Sequence, residues 1–228
     1  MRILQVITSL QTGGAETLVV NLVLRLRTMG NDVDVCVFNG VETPLMARLR
    51  KENPGIRIWK LGHGYYNPLY ILKLVRIMRR YDIVHTHNSS PQLFVAAASL
   101  LCSVGLCTTE HNTSNRKRRW KWYAPIESWM YSQYSHIVCI SKIAEDKLRE
   151  YMGGKWMDVQ SPYYHRISTI NNGVDVGKIY NAQPDADLLR LKGRRHAIVM
   201  VAGFREAKDQ DTLVRAMALL DSQQYELW

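Results

Sequence analysis

Long apolar runs are missing from this 228-residue chain. The longest, residues 93–107, falls short of the ~18–20 residues that a membrane-spanning helix needs, and it contains Ser99 and Ser103. It predicts a buried helix that leads into a strand. The opening run, residues 1–7, is too short for a signal peptide and predicts a strand as well. We therefore expect no membrane-spanning segment.

Cysteine is also scarce, and the chain has no C-x-x-C pair. The four cysteines, each within an apolar run, are Cys36, Cys102, Cys107 and Cys139. Such residues are typical of buried, reduced thiols rather than of disulfides. Reduced thiols in turn favour a cytoplasmic location.

Acidic residues are outnumbered, with 20 Asp and Glu against 30 Lys and Arg, so that the formal net charge is +10. This excess predicts an anionic partner. A nucleotide diphosphate, an anionic lipid surface and a nucleic acid all fit that sign, and charge alone does not choose among them.

Short β-rich segments alternate with helical patterns along most of the chain. The predicted strands are residues 2–8, 34–38, 56–61, 83–86, 106–110, 136–140 and 168–171. The predicted helices are residues 16–29, 44–52, 68–80, 91–103, 120–134 and 142–151. Several strands are apolar throughout, as expected for a parallel sheet covered on both faces. The order predicts an α/β fold with a Rossmann-like, doubly wound parallel sheet.

The pattern changes after Asn171, where a turn and a polar, proline-containing stretch follow. We predict a first domain over residues 1–175, a linker over 176–195 and the start of a second domain over 196–228. That last part contains one strand (196–202), one helix (209–220) and the beginning of another strand. One strand–helix unit cannot bury a core of its own. We therefore expect the chain to be a fragment of a longer protein, and packing of this tail onto the first domain is the alternative.

The loop after the first strand carries two glycines, Gly13 and Gly14, followed by Glu16. Glycines at the start of a helix let backbone N–H groups approach an anion. A tight strand-to-helix turn would also favour glycine. The loop is neither a G-x-G-x-x-G fingerprint nor a G-x-x-x-x-G-K-[ST] phosphate loop.

Polar side chains end two successive strands. His85 and His87 point to the same side of one strand, and His87 stands near its carboxyl end. The next strand ends in Glu110, His111 and Asn112. Because ligands bind at this edge of doubly wound sheets, we expect a binding crevice here. Zinc held by His85, His87 and His111 is an alternative, but no carboxylate-rich partner set accompanies them, and we predict no metal.

A basic segment interleaved with aromatic residues follows. We expect a membrane-contacting patch of Arg116, Lys117, Arg118, Arg119, Trp120 and Trp122. Cations meet anionic headgroups while indole rings settle at the boundary. Additional cations are available at Lys73, Arg76, Arg79 and Arg80. A solvated basic loop and an RNA-binding surface are the alternatives, although no nucleic-acid-binding module is recognisable.

A second strand-to-helix turn spans residues 202–209. Arg205 and Lys208 would stand at the mouth of the second sheet, where they suit a diphosphate. The alternative is a surface turn in which Asp209 caps the following helix.

Together these motifs resemble family 4 glycosyltransferases, which are retaining enzymes of the GT-B fold. The matching segments, in order, are residues 13–16, 82–87, 109–112, 138–141, 172–175 and 201–213. The resemblance implies two Rossmann-like domains, the first holding mainly the acceptor and the second mainly the sugar nucleotide. It also implies that neither a metal nor another cofactor is required.

The resemblance assigns roles to individual residues. Gly13 and Gly14 would approach donor phosphate or acceptor, His87 would lie beside the transferred sugar, and Lys208 would neutralise the leaving diphosphate. Five residues would line the acceptor cleft, namely Glu16, Glu110, His111, Asn112 and Ser141. The family's usual arginine is replaced by Gly203 here, so that Arg205 is the substitute.

The family's E-x7-E donor motif would lie beyond Trp228, and we therefore expect the isolated chain to be inactive. In intact form we expect a hexosyltransferase using a UDP- or GDP-sugar and a glycan or lipid-linked acceptor. This activity would serve bacterial surface polysaccharide synthesis at the inner face of the membrane. A stand-alone binding or regulatory module and a basic nucleic-acid-binding protein are the alternative functions.

Overall fold

The structure, a computed structural model, describes residues 1–113, 116–204 and 206–228. The chain divides into two compact units, Met1–Gly173 and Val174–Trp228.

A seven-stranded, all-parallel sheet forms the centre of the first unit. Its strands are β1 (Arg2–Ile7), β2 (Asp32–Asn39), β3 (Ile58–Gly62), β4 (Ile83–His87), β5 (Gly105–Glu110), β6 (His136–Cys139) and β7 (Ile167–Thr169). Their order in space is β3-β2-β1-β4-β5-β6-β7. The order reverses between β1 and β4, as in doubly wound sheets. The predicted Rossmann-like fold is confirmed.

In the described part of the first unit, six helices pack against this sheet. They are α1 (Gly14–Thr28), α2 (Pro44–Glu52), α3 (Leu69–Met78), α4 (Ser89–Ser99), α5 (Ala124–Ser132) and α6 (Lys142–Met152). Alternate residues of β1 enter two separate cores. Ile3 and Ile7 pack with residues of α1 and α2, whereas Leu4 and Val6 pack with residues of α3 to α6. The side-chain alternation of a strand thus gives each face of the sheet its own helical layer.

The helix predicted over residues 120–134 begins later, at Ala124. Two short 3-10 turns precede it, Arg116–Arg119 and Lys121–Tyr123. Pro125 explains the late start, since proline lacks an N–H donor and is favoured in the first turn of a helix.

The second unit is small. Strands β8 (His196–Ile198) and β9 (Tyr225–Leu227) pair in parallel, and helix α9 (Gln210–Met217) connects them. The strand predicted over residues 196–202 therefore ends early. The segment predicted to be a linker contains two short helices, α7 (Val176–Tyr180) and α8 (Ala186–Lys192), and belongs to this unit. An aspartate, Asp175 or Asp185, immediately precedes each helix and accepts hydrogen bonds from backbone N–H groups of its first turn.

Two of the sequence predictions concern the chain as a whole. All four cysteines are free, but only Cys36 and Cys139 are buried as predicted, whereas Cys102 and Cys107 are half-buried. Among the described residues, no helix is both long enough and apolar enough to cross a membrane.

Candidate functional site

The candidate site lies at the carboxyl ends of β1, β4 and β5. All strands of the large sheet are parallel, so these ends share one edge. The adjacent strands β1 and β4 pair with Gln5 opposite His85. Their connections leave toward opposite faces of the sheet, which opens a crevice where ligands of doubly wound folds bind.

A cluster of imidazoles, which we call the imidazole cluster, occupies this edge. His87 is fully buried. Its Nε2 lies 2.8 Å from Gln5 Oε1 and its Nδ1 lies 3.0 Å from His111 Nε2. With Gln5 Oε1 as acceptor, His87 Nε2 donates, and His87 Nδ1 then accepts from His111 Nε2. His85 completes the cluster, with its Nε2 2.8 Å from Thr109 Oγ1.

The cluster is uncharged near neutral pH. Burial lowers the pKa of His85 to about 4, with a smaller contribution from the neighbouring His111. Burial also lowers the pKa of His111 to about 4. For His87, burial and then the two neighbouring imidazoles hold the pKa well below its usual value. The three rings therefore act as neutral donors and acceptors.

His111 is the member of the pair that a ligand can reach. His87 is sealed from solvent and uses both ring nitrogens internally, whereas His111 is only half-buried. The sequence singles out His87 as the residue beside the transferred sugar. Its geometry is that of a group that orients His111.

Gln5 and Asn88 belong to this site although neither was predicted. Gln5 is a fully buried polar residue inside an apolar strand, and that contrast was the available signal. Asn88 follows His87 with φ 72° and ψ 153°, a backbone conformation that residues other than glycine rarely adopt. Such conformations cost about 1–3 kcal/mol and cluster at functional sites.

On the opposite face of β5 lies a second polar cluster, which we call the Arg118 cluster. Arg118 Nη2 lies 3.1 Å from Glu127 Oε1, 3.2 Å from the Tyr131 hydroxyl and 3.8 Å from Glu110 Oε1. Tyr131 donates to Glu110. The guanidinium also packs over the ring of Tyr151, 4.7 Å from its centroid.

This arrangement corrects two predictions. Glu110 does not line an open cleft, because its carboxylate is buried between Arg118 and Tyr131. Burial raises the pKa of Glu110, and the nearby charge of Arg118 partly opposes this increase. Arg118 does not belong to the membrane patch, since only 10% of its side chain is exposed and it pairs with Glu127. Alternation of side chains along β5 explains why Glu110 faces away from the imidazole cluster. The ion pair with Glu127 of α5 explains why Arg118 is buried.

The loop of Gly13 and Gly14, predicted to approach an anion, lies next to a carboxylate. A Cβ at Gly13 would collide with the Glu16 carboxylate, so glycine lets this side chain fold back at the start of α1. No atom of the described residues lies within 4 Å of the same position of Gly14. Glu16 stands in the first turn, where a carboxylate interacts favourably with the positive end of the helix. An anion approaching Gly13 would meet that carboxylate.

The remaining predicted site residues are dispersed. Asn112 is exposed just beyond β5. Ser141 begins α6, and its side chain accepts from Ala144 N. In the second unit, Lys208 is exposed in a short 3-10 turn, and Asp209 accepts from Thr212 N at the start of α9, as the capping alternative predicts. Arg205 lies outside the described residues.

Two parallel indoles mark the basic–aromatic segment. Trp120 and Trp122 are 49% and 64% exposed, and their rings stack 5.6 Å apart at an angle of 10°. Lys117 Nζ lies 5.0 Å from the ring centroid of Tyr66, in the loop after β3. Although burial opposes it, hydrogen bonds to Lys117 and Ser90 lower the pKa of Tyr66. The side chains of Arg116 and Arg119 lie outside the described residues.

Metal ligation was the alternative interpretation of the three histidines. Among the residues that the structure describes, no group of three or more His, Cys, Asp or Glu is arranged to hold a metal ion. The imidazoles instead contact one another and neutral partners on β1 and β5.

Solved structures share this fold at low sequence identity. HepE from Anabaena in complex with UDP superposes with a TM-score of 0.75 at 17% identity, covering 100% of this chain and 60% of HepE. A glycosyltransferase from Rickettsia africae gives 0.67 at 20% identity, covering 99% of this chain and 59% of its own. Sucrose-phosphate synthase from Thermosynechococcus elongatus superposes with a TM-score of 0.68 at 15% identity, covering 100% of this chain and 61% of the synthase.

The chain thus spans about three fifths of the length of these proteins. No curated protein gives a significant sequence match. The family model for Glycosyltransferase Family 4, in contrast, matches residues 12–178, which include every residue of the imidazole cluster except Gln5. The large parallel sheet, its GT-B neighbours and this match agree, and the chain belongs to Glycosyltransferase Family 4.

Proposed function

We propose that this chain supplies the acceptor-side domain of a retaining glycosyltransferase. Its intact form would transfer a hexose from a UDP- or GDP-sugar to a glycan or lipid-linked acceptor in bacterial surface polysaccharide synthesis. The observation that carries this proposal is the neutral imidazole cluster at the β1–β4 switch point. HepE, which shares the fold, has been crystallised with UDP, with UDP and glucose, and with UDP-glucose, and this favours UDP as the nucleotide.

His111 is the residue we expect to contact the transferred sugar, and His87 the residue that orients it. A neutral imidazole can donate to or accept from a sugar hydroxyl without introducing a charge beside the reacting carbon. The charge of the leaving diphosphate would be met elsewhere, by Lys208 and Arg205 of the second unit, by electrostatic stabilisation. Neither a metal nor another cofactor is needed in this scheme.

Ligand binding by the intact enzyme tests the proposal, since its second domain would hold the sugar nucleotide. We expect saturable binding of UDP or GDP sugars that is unchanged by a metal chelator and weakened by Lys208→Ala, as measured by calorimetry. His111→Ala should weaken binding of the nucleotide sugar and of acceptor glycans, and leave binding of free UDP or GDP unchanged. Salt-dependent binding to RNA with no effect of UDP or GDP would contradict the proposal.

We further propose that the isolated 228-residue chain does not turn over, because the family's E-x7-E motif is not in its sequence. Incubation with radiolabelled nucleotide sugars and a panel of acceptors measures this directly. Sugar transfer by the chain alone would overturn it.

Membrane contact is the second part of the proposal. We place the intact enzyme on the cytoplasmic face of the membrane, with Lys117, Trp120 and Trp122 at the lipid surface. The two exposed indoles and the nearby cation are the combination that suits a bilayer boundary. The fraction of protein that sediments with vesicles containing anionic lipid should be lower for K117A/W120A/W122A than for the wild type. Equal sedimentation of this variant and the wild type would remove the segment from the membrane contact.

A further inference from the structure

Helix α3 and its flanks differ from the other helical surfaces of the first unit in both charge and polarity. Between Arg57 and Asp82 the sequence contains no Asp or Glu but five cations, namely Lys60, Lys73, Arg76, Arg79 and Arg80. Lys60 pairs with Glu42, and the other four lie in α3 or directly after it. The following 22 residues, 88–109, which contain α4, carry no formal charge at all. This layer of helices therefore carries an excess of positive charge.

One side of α3 and its carboxyl end carries four exposed residues. Leu69, Leu72, Arg76 and Arg79, which we call the α3 stripe, recur at intervals of three and four residues and so lie along one side of the helix. Leu69 and Leu72 are 62% and 65% exposed. The leucines stand at the amino end of the stripe and the arginines at its carboxyl end.

Two cations of this helix contact backbone carbonyls rather than carboxylates. Arg79 donates to the Leu101 carbonyl (3.1 Å) and Lys73 to the Leu61 carbonyl (2.7 Å). On the opposite face of the sheet, both arginines of α2 pair with acids. Its two ion pairs, both at 2.7 Å, are Arg48 with Glu52 and Arg50 with Glu42.

The apolar end of the stripe adjoins the basic–aromatic segment. Tyr66 is 60% exposed and lies three residues before Leu69. Its ring is the one that Lys117 Nζ approaches to 5.0 Å. The basic–aromatic segment, Tyr66 and the leucines of α3 thereby adjoin one another at the carboxyl edge of the sheet.

We propose that the α3 stripe is a membrane-docking surface for anionic phospholipid, on which the helix lies along the bilayer plane. Its cations meet headgroup phosphates, and its leucines enter the boundary with the acyl region. Exposed leucines distinguish this occupant from RNA, which offers phosphates but no apolar layer. The inference rests on the membrane contact proposed above and adds an orientation, since it lays the α3 side of the first unit, with the basic–aromatic segment at one end, against the lipid surface.

Vesicle partitioning of the whole chain tests the stripe. L69A/L72A should lower the partition coefficient on phosphatidylcholine–phosphatidylglycerol vesicles about tenfold and leave its salt dependence unchanged. R76A/R79A should lower it about twentyfold at low salt, and this difference should shrink as salt is added. Circular dichroism and melting curves check that each variant is folded.

The matched control removes two exposed cations from the opposite helical layer, Arg25 and Lys51. R25A/K51A changes net charge as much as R76A/R79A does, and we expect a loss of less than about twofold. Equal losses for the two charge variants would overturn the proposal. So would unchanged partitioning of L69A/L72A, which would leave a charge-only surface suited to RNA.

Two further outcomes separate this inference from the proposed function. If K117A/W120A/W122A loses vesicle binding while both α3 variants bind as the wild type does, the stripe is excluded and the contact through residues 117–122 stands. If the wild type does not bind anionic vesicles, both membrane contacts are excluded. The nucleotide and acceptor binding experiments decide the glycosyltransferase proposal independently of either result.

Discussion

The two faces of β5 end in two polar clusters of opposite character. On one face Thr109 joins the imidazole cluster of Gln5, His85, His87 and His111, in which burial keeps the rings neutral. On the other face Glu110 joins the Arg118 cluster, in which one guanidinium serves two carboxylates. Adjacent residues of one strand thus enter environments that offset the cost of burying polar groups by different means.

The difference indicates that the two clusters have separate roles at one edge of the sheet. The Arg118 cluster ties the segment after β5 to α5 and holds it in place. The imidazole cluster relies on hydrogen bonds between neutral groups and leaves a half-buried ring, His111, at the ligand-facing edge. We infer that the charged cluster positions the segment while the neutral one meets the ligand.

Removing the arginine should produce the largest effect. In Arg118→Met the buried Glu127 and Glu110 lose their cation, and we expect a loss of about 3–5 kcal/mol in unfolding free energy near neutral pH. Denaturant unfolding measures it. The loss should shrink as pH falls, because burial raises the pKa of Glu110 and protonation of this carboxylate removes an unpaired charge. Lys117→Ala in the same turn is the control, with a loss below about 1 kcal/mol. If Arg118→Met were as stable as the wild type, the ion pair would not anchor the segment.

Acid should destabilise the imidazole cluster. The folded-state pKa of His85 and of His111 is about 4, below the ordinary value of 6.5, so the unfolded chain binds more protons between these values. Stability is therefore complete above about pH 6.5 and falls as pH decreases toward 4. At about pH 5.5 we expect a loss of about 1 kcal/mol for each of the two residues.

The pH dependence has its own control. His111→Gln should flatten the slope of unfolding free energy against pH in this window. His165→Gln alters an exposed histidine outside the cluster and should leave the slope unchanged. Equal slopes for the wild type and His111→Gln would contradict the neutral state inferred for the cluster.

The smallest effect is expected where the imidazole cluster meets β5. Thr109→Val keeps the shape of the side chain but removes the hydroxyl that His85 Nε2 contacts at 2.8 Å. We expect a loss of about 1 kcal/mol in unfolding free energy. Thr113→Val, at an exposed position beyond the strand, is the control. A loss no larger than that of the control would show that His85 does not depend on this hydrogen bond.

The sequence predicted the location of the site better than its internal organisation. Polar residues after two consecutive apolar strands identify the edge where His87 and His111 meet, because parallel strands end together. The sequence does not connect Gln5 with the site, because Gln5 lies 82 residues from His87 and only the pairing of β1 with β4 brings the two together. Arg118 was assigned to the surface because its chain neighbours are basic, and only contact with Glu127 shows that it is buried.

What the sequence determined by itself was local and periodic. Apolar strands, alternating helices and a glycine turn were sufficient for the Rossmann-like fold and, through its motifs, for the family. Only the tertiary structure decided which polar residues are neutral, which are paired and which face solvent. Those properties depend on burial and on partners far away in the chain, as His87 with Gln5 and Arg118 with Glu127 demonstrate. A pattern of neighbours along the chain carries no information about either.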